Sequence, residues 1–593
     1  MGGFSNTTPN FDRGGPSVNH QRTAWDSEQG AMAGTGPAKR DTFSMGRVGQ
    51  GEDREPSSAR PSHGGEACGR TGQVPVDCEL RAVDCCPSVD TNYFEVVVCG
   101  PDLAGLVAAA LLSRRGQRIL LCGHDRQPAT FQAGPYTLAR EPGFLPPPDA
   151  EPVARVMREL GYAQVVRRRA PALQPGLQMI FPQHRIAFGA DPEAISADLR
   201  REFPSECAAV EETLARLRNS SAVLDPLLGS DITLPPEGFW ERRDVGRIQS
   251  QLPPLDGDWL AALPPYHPMR AGLAALAVLS SGFSPGDVTA MTQARAFDGA
   301  RRGVFRLGSG GDLRALFSEK IETFSGEVRE RLVPHELVWK RGSVSGLRAR
   351  PRGETIGLGR LIWAGSAASL LTLCGDAAPR RLRETAAAIR PACFRYTMCL
   401  LLRPEALPEG MGPRVLSVRD PAKPILEDNA LSIIVGSPPL RQPNRVPVWV
   451  ECLVPASAAQ SLGYLAVVRA RVREEIARLL PFFDRHLWVL ASPHDGLAPE
   501  LGLQAPGDNP DALDPVPPTS MAPALSCDLP RMLGIGGAPV GTGISNIYLA
   551  SAENLPGLGR EGDFVSAWGV ARLIAQPGHR PGARRREILI EDS

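Results

Sequence analysis

The sequence contains very little lysine and no block of like charge. Lys39, Lys320, Lys340 and Lys423 are the only lysines among 593 residues, so arginine supplies nearly all of the positive charge. Acidic and basic residues balance at 65 each. A nucleic-acid-binding protein would normally carry a basic face, and a mechanism that needs lysine has few candidates here. The composition therefore argues against a nucleic-acid partner.

Long apolar runs and metal-ligand spacings are also missing. No apolar stretch reaches the ~18 residues that a membrane span needs, and the N-terminus lacks the apolar core of a secretory signal. The 12 cysteines show no repeated metal-ligand spacing. Cys99, Cys122 and Cys399 lie inside apolar runs, where cysteine is usually a small buried hydrophobe. These absences predict a cytoplasmic protein that holds no metal.

The chain is too long for one hydrophobic core, so at least two packed regions are expected. Residues 1–91 are rich in Gly, Ser, Pro and charge and lack helical or strand periodicity. We interpret them as an extension that is either disordered or not native to the protein. Residues 581–593 are predicted to form a loose tail.

A strand, a glycine turn, a helix and a second strand follow one another after this extension. Residues 94–99 form a short β-branched run that is typical of a buried parallel strand. The turn covers residues 100–105, and an Ala- and Leu-rich helix runs from residue 106 to 115 before Gly116 ends it. Residues 118–122 are predicted to form the second strand. Together these elements predict one βαβ unit.

The turn in this unit is a modified form of the Gly-x-Gly-x-x-Gly motif that binds dinucleotides. Gly100 and Gly105 hold the first and third glycine positions, and Leu103 and Ala104 lie between these two glycines. These glycines permit a tight turn and close packing, and the helix N-terminus attracts phosphate. Asp102 holds the second position, where it adds bulk and negative charge to the pyrophosphate site. Asp102 could instead cap the helix, which would preserve the fold and weaken the phosphate site.

A second departure lies at the end of the second strand. An acidic residue about 20 positions after the turn normally bonds the ribose hydroxyls. In this sequence that position is Gly123, followed by His124 and Asp125. Either neighbour could substitute, with a different geometry.

Three separated stretches resemble the phytoene desaturase-like branch of the FAD-dependent oxidoreductases, within the amine oxidase superfamily. The resemblance implies an α/β fold with α+β insertions, built on a glutathione-reductase-like FAD/NAD(P)-binding Rossmann domain. That domain would combine residues 92–130, 300–375 and 525–580, and a discontinuous substrate domain would combine 131–299 and 376–524. The stretches that carry the likeness are residues 96–120, residues 308–366 with their glycine-rich helix start and hairpin, and residues 546–567.

The same resemblance implies further cofactor-binding positions. Val333 falls where the family places a backbone contact to adenine, and Glu553 falls where the family has an acidic or small polar residue that would contact the flavin. A loop and helix start near the C-terminus would close over the flavin and the diphosphate-ribityl chain, through Pro556, Gly557, Gly562, Asp563 and Phe564.

Two functions compete at this stage, and a third is weaker. The first is an FAD-dependent desaturase, saturase or isomerase that acts on a hydrophobic polyene or lipid-like substrate, loaded through peripheral contact with a membrane. The second is a cofactor-poor relative that serves as a binding or scaffold protein. A protein that uses NAD(P) alone would leave the C-terminal loop unexplained. The sequence assigns no catalytic residue and no oligomeric state.

Overall fold

The computed structural model describes residues 92–123, 127–308, 310–351, 353–439, 441–503 and 513–575. All of them belong to the unit Asp84–Ser593. The predictions for residues 1–91, for His124 and for residues 581–593 lie outside the described residues.

Twenty strands are assigned within the described residues. In chain order they are β1 Tyr93–Cys99, β2 Ile119–Cys122, β3 Thr130–Ala133, β4 Tyr136–Ala139, β5 Phe144–Leu145, β6 Leu177–Ile180, β7 Arg185–Phe188, β8 Phe305–Arg306, β9 Glu327–Arg329, β10 Val333–Lys340, β11 Ser343–Arg350, β12 Glu354–Trp363, β13 Ile389–Leu402, β14 Arg414–Val418, β15 Ala430–Val435, β16 Val446–Pro455, β17 Leu487–Ala491, β18 Glu500–Leu501, β19 Ala522–Cys527 and β20 Ile547–Leu549.

Fifteen α-helices accompany these strands in the described part of the chain. They are α1 Leu103–Arg114, α2 Glu151–Glu159, α3 Ala163–Arg169, α4 Pro192–Glu202, α5 Cys207–Ala222, α6 Asp225–Leu228, α7 Phe239–Gln249, α8 Pro268–Ser280, α9 Ala290–Arg301, α10 Gly310–Thr323, α11 Ala367–Cys374, α12 Arg380–Ala388, α13 Leu462–Leu479, α14 Phe483–His486 and α15 Arg560–Ala575.

The first large sheet has a parallel core. β1 pairs in parallel with β2 and β12, β2 pairs with β9, and β12 pairs with β20. The hairpin β10–β11 extends the sheet by antiparallel pairing of β11 with β12. The strands of this sheet come from residues 93–122, 327–363 and 547–549, so distant parts of the chain build it together.

This sheet is covered on both faces, which explains why β1 is apolar throughout its second half. Val96 and Val98 pack into one hydrophobic cluster with residues of α1, α10 and α15. Val97 and Cys99 pack on the other side with residues of the hairpin and α11. Alternation of side chains along a strand sends neighbours to opposite faces. The predicted βαβ unit is therefore present, with its first strand buried on both sides.

The second large sheet has nine strands and is mostly antiparallel. Its path runs β18-β17-β13-β16-β15-β14-β6-β7, and β19 also pairs with β13. One face carries Tyr396, Met398 and Leu400, which share a core cluster with Val468 and Val472 of α13. All of its strands come from residues 177–188 and 389–527. The mixed α/β class is confirmed, and the proposed domain limits stay a prediction.

The bounds of β12 differ from the sequence-based expectation. The strand expected near residues 360–364 is the end of the longer β12, whose first half pairs with the hairpin. Cys99, Cys122 and Cys399 are buried free cysteines, as their apolar surroundings in the sequence predict.

Candidate cofactor and substrate cleft

One large cleft of about 1250 Å³ adjoins both sheets. Its walls come from the turn after β1, the cleft side of α10, the end of α8, and the start of α15 with the loop before it. Arg395, Thr397 and Glu451 of the second sheet complete it. Pockets for single small ligands usually measure ~300–1,000 Å³. The volume of this cleft exceeds that range.

The two glycines of the motif, Gly100 and Gly105, both pack so closely against Ala364, the residue after β12, that neither position has space for a Cβ atom. Gly100 has a φ of +131°, and a Cβ there would lie 2.0 Å from the Ala364 carbonyl oxygen. A Cβ at Gly105 is equally constrained, since Ala364 Cβ lies 2.2 Å from its ideal position. The glycines thus let the turn and α1 lie directly against β12, as the motif requires.

Asp102 does not cap α1. It occupies the position before the helix with extended backbone, yet its side chain makes no capping hydrogen bond. Its Oδ2 instead accepts a hydrogen bond of 3.1 Å from the backbone N–H of Ala552. The residue lines the cleft as well. The carboxylate therefore joins the N-terminal turn to the C-terminal loop, a tertiary contact that the local sequence pattern does not encode.

Asp102 belongs to a group of three carboxyl groups with raised pKa values, which we call the acidic trio: Asp102, Glu553 and Asp563. Burial raises the pKa of Asp102 to about 6, against the opposing effects of the Ala552 N–H and Arg314. Burial and the charge of Asp102 raise the pKa of Glu553 to about 7. The same two causes raise the pKa of Asp563 to about 7. All three residues line the cleft.

Each member of the acidic trio has a different set of partners. Glu553 Oε2 accepts a 2.8 Å hydrogen bond from the backbone N–H of Ala367, at the start of α11. Asp563 lies in the first turn of α15 and is 7% exposed. Its Oδ1 is buried and has no hydrogen-bond partner within the described residues. A buried oxygen of this kind is costly unless something satisfies it.

The loop before α15 is fixed against the end of α8. The Pro556 carbonyl accepts a 2.7 Å hydrogen bond from the Gly282 N–H. Gly559 has a φ of +53°, and a Cβ there would lie 2.2 Å from the Ser280 carbonyl oxygen. Gly557 is packed just as closely on Ile535, whose Cα would lie 2.6 Å from an added Cβ. Pro556 and Gly557 both line the cleft.

A buried ion pair holds the start of α15 in place. Arg295 of α9 donates two hydrogen bonds, of 2.8 and 2.6 Å, to the carboxylate oxygens of Glu561. It also bonds Asp225 Oδ1 at 2.7 Å and the hydroxyl of Ser221. Bidentate arginine–carboxylate pairs are directional as well as strong. The pair therefore sets the angle at which the α15 N-terminus meets the cleft.

Some of the sequence-predicted site residues do not reach this cleft. Ala104, Gly105, Gly562 and Phe564 are buried in the packing around α1 and α15, and the ring of Phe564 meets that of Phe317 edge-on with ring centres 6.1 Å apart. In contrast, Asp102, Leu103, Glu553, Pro556, Gly557 and Asp563 are brought together on its walls.

The residues predicted for the adenosine end lie near one side of the cleft. Val333 begins β10 and does not line the cleft, whereas Glu330 and Arg331 just before it do. Gly123 faces only a void of about 10 Å³ beside Gly100 and Glu330. A Cβ at Gly123 would lie 1.7 Å from the Glu330 carbonyl oxygen. Gly123 is therefore needed for close contact between chain segments, and no side chain from it can replace the acidic ribose contact.

Sequence reasoning missed the charged side chains that line the cleft between these motifs. Arg314 of α10 donates to the Pro101 carbonyl in the turn, and Arg560 pairs with Glu141 at 2.6 Å. Arg395 and Arg414 enter from the second sheet. Each of them has a hydrogen-bond partner more than 100 residues away in sequence, so no local spacing could have identified them.

No group of His, Cys, Asp and Glu side chains that could hold a metal ion occurs in the described part of the chain. Within the same residues, no helix is both long and apolar enough to cross a membrane.

The fold that carries this cleft is also found in solved structures of an oxidoreductase and of a putrescine oxidase. Among solved structures, the chain is similar to an oxidoreductase from Methanosarcina mazei, at 13% identity and a TM-score of 0.50, covering 81% of this chain and 100% of that one. It is also similar to wild-type putrescine oxidase bound to putrescine, at 13% identity and a TM-score of 0.51, covering 82% and 99%. No protein-family model and no curated protein sequence matches the chain. The likeness shows the fold and does not single out the phytoene desaturase-like branch.

Proposed function

We propose that this protein is an FAD-dependent oxidoreductase of the desaturase, saturase or isomerase type, acting on a small hydrophobic substrate. The observation that carries the proposal is the joining of the two chain ends at one cleft. The turn at Asp102 and the loop at Ala552 meet there although 450 residues separate them. A structural neighbour studied for "redesign of cofactor binding", a putrescine oxidase variant with a TM-score of 0.52, supports a cofactor in this fold.

The residues around the turn and α15 fit a flavin dinucleotide. The N-termini of α1 and α15 both meet the cleft, through Leu103 and Arg560, and helix N-termini favour phosphate. The buried, unpartnered Oδ1 of Asp563 suits a ribityl hydroxyl, because a carboxyl with a pKa of about 7 can donate or accept near neutral pH. Asp102 is the main mismatch, since its ionised form opposes the diphosphate.

The chemistry divides between the cofactor and the protein. FAD, when bound, supplies the acceptor or donor for hydride. The protein's own residues would bind and orient the ligands. Arg314 holds the turn after β1 through a hydrogen bond to the Pro101 carbonyl, and the Arg295–Glu561 ion pair holds the N-terminus of α15. The hydrogen bond from the Gly282 N–H to the Pro556 carbonyl holds the loop before α15 against the end of α8.

A hydrophobic substrate is supported by apolar side chains on the cleft walls. These are Phe144, Leu145, Leu279, Phe305, Met521 and Leu525. No lysine lines the cleft in the described residues. Because amine oxidases of this resemblance usually place a lysine near the flavin, this lining favours the desaturase-like interpretation over an amine oxidase.

The visible absorption spectrum of the purified protein, with added FAD and after desalting, tests the cofactor. We expect flavin bands that survive desalting at pH 5, where the acidic trio is largely protonated. A colourless protein whose melting temperature does not rise with FAD would contradict the proposal. It would favour the alternative, a cofactor-poor relative that keeps the fold for binding or scaffolding.

We also propose peripheral membrane contact through α7, as the loading route for a hydrophobic substrate. Phe239 and Trp240 are 69% and 68% exposed, with their rings 5.4 Å apart. Arg243 stacks on Trp240. Exposed aromatic rings beside arginine suit the interface of an anionic bilayer.

Vesicle co-sedimentation checks this contact. The double variant Phe239→Ser/Trp240→Ser should lose about tenfold in binding to phosphatidylglycerol vesicles. Phe482→Ser is the matched control, because Phe482 is 62% exposed and lies between α13 and α14, away from α7 in the sequence. Equal loss in both proteins, or none in the double variant, would refute α7 as the contact.

A further inference from the structure

Two arginines on the second-sheet side of the cleft converge on the end of α8; we call them the arginine pair. Arg395 of β13 donates a 2.7 Å hydrogen bond to the Leu279 carbonyl and a 3.3 Å bond to the Ser281 carbonyl. Arg414 of β14 donates a 2.8 Å bond to the Ser280 hydroxyl. Both line the cleft. The arginine pair therefore adjoins the Pro556–Gly559 loop, which packs on the same end of α8.

The negative charge around the arginine pair is too small to balance it. Glu451 Oε2 lies 3.4 Å from Arg395 Nη1 and is the carboxylate ion-paired with the arginine pair among the residues that the structure describes. Glu141 also lies near Arg395, but it is ion-paired with Arg560 at 2.6 Å. Arg140 adds a further positive charge to the lining, and its own hydrogen bonds go to the Pro128 carbonyl and the Thr519 hydroxyl.

Burial makes this excess of positive charge costly. Arg414 Nε is buried and has no hydrogen-bond partner within the described residues. Burial lowers the pKa of Arg414 to about 10; Glu451 opposes this effect and Arg395 adds to it. His494 on the same wall has a pKa lowered to about 4 by burial, so it is neutral at pH 7. An anion that receives hydrogen bonds from the pair would relieve this cost.

We propose that the arginine pair binds a carboxylate group at the polar end of an otherwise apolar substrate. Apolar side chains adjoin it: Arg414 lies 5.3 Å from the centre of the Phe144 ring, and Leu279, Met521 and Leu525 share the lining. The substrate class is thus an apolar acid, such as a lipid-like carboxylate. A cationic amine would meet like charge at this position. The inference deepens the proposed function and rests on it for the role of substrate.

Calorimetric titration of the full chain with three matched ten-carbon probes tests the proposal. Decanoate should bind at least about tenfold more tightly than decanol, and decylamine should bind more weakly than either. The titrations are done with and without added FAD. Equal affinities for decanoate and decanol, or tighter binding of decylamine, would overturn the inference.

Variants separate recognition by charge from a structural role at the end of α8. Arg414→Gln should lose about tenfold in decanoate affinity and little in decanol affinity, whereas Arg414→Lys should keep most of the preference. Arg216→Gln, an exposed arginine paired with Glu212 outside the cleft, is the matched control and should change neither affinity. Equal loss for both probes in Arg414→Gln would show a purely structural arginine and refute the proposal.

If flavin bands survive desalting while decanoate shows no preference, this inference fails and the proposed function stands. If no flavin is retained and decanoate still binds preferentially, the proposed function fails and the anion site stands as a binding site only.

Discussion

Replacing Asp102 by glycine is expected to raise the affinity for FAD by about a hundredfold at pH 8. Asp102 lines the cleft at the turn that would face the diphosphate of the proposed FAD, and its ionised carboxylate would repel that group. At an effective dielectric constant of ~20, like charges ~4 Å apart cost about 4 kcal/mol, and exposure to the cleft reduces this figure. Asp102→Gly also restores the second glycine of the motif and removes side-chain bulk.

The effect of Asp102→Gly should depend on pH. Because the pKa of Asp102 is raised to about 6 and those of Glu553 and Asp563 to about 7, the trio is mostly neutral at pH 5 and ionised at pH 8. FAD affinity of the wild type should therefore fall as pH rises from 5 to 8. The gain from Asp102→Gly should be smaller at pH 5 than at pH 8.

Fluorescence titration of FAD at the two pH values measures both effects. Asp102→Asn is the matched control: it removes the charge but keeps the volume and an oxygen for the Ala552 N–H. It should reproduce the loss of pH dependence and only part of the gain in affinity. Weaker FAD binding by Asp102→Gly at pH 8 would show that the carboxylate supports the cofactor, contrary to our prediction.

Replacing Gly123 by the acidic residue that the family carries at this position should destabilise the protein, in contrast to the gain expected from Asp102→Gly. Gly123→Glu is expected to destabilise the fold by about 3 kcal/mol or more, and Gly123→Ala by nearly as much. The Cβ that both variants share would lie 1.7 Å from the Glu330 carbonyl oxygen and 2.6 Å from Glu330 Cα. These are backbone atoms, so the clash cannot be relieved by rotating a side chain.

Urea unfolding of Gly123→Ala measures this loss as a shift in midpoint. Gly246→Ala is the control, since Gly246 lies within α7 and an added Cβ meets nothing within 4 Å. That control should be neutral or stabilised by about 0.5–1 kcal/mol, because alanine favours helix. An unchanged midpoint in Gly123→Ala would mean that the β2 end and the segment at Glu330 separate easily.

The contrast between these two positions shows why the cofactor motif could be predicted only in part from sequence. Both positions depart from the family pattern, so the sequence alone predicts a weakened cofactor contact at each of them. In the structure, Asp102 contacts Ala552 across the cleft, while Gly123 packs against Glu330. One departure changes the charge of the site, and the other is required by the packing of two strands.

The sequence by itself determined the local elements of the first sheet. The β-branched run before Gly100, the glycine turn and the Ala- and Leu-rich helix specify one βαβ unit through periodicity and backbone freedom. Only the tertiary structure decided which charges share the cleft. Asp102, Glu553 and Asp563 come from opposite ends of the chain, and Arg395 and Arg414 come from a separate sheet. Electrostatic interactions depend on distance through space and on burial, and neither quantity is encoded in the local spacing of residues.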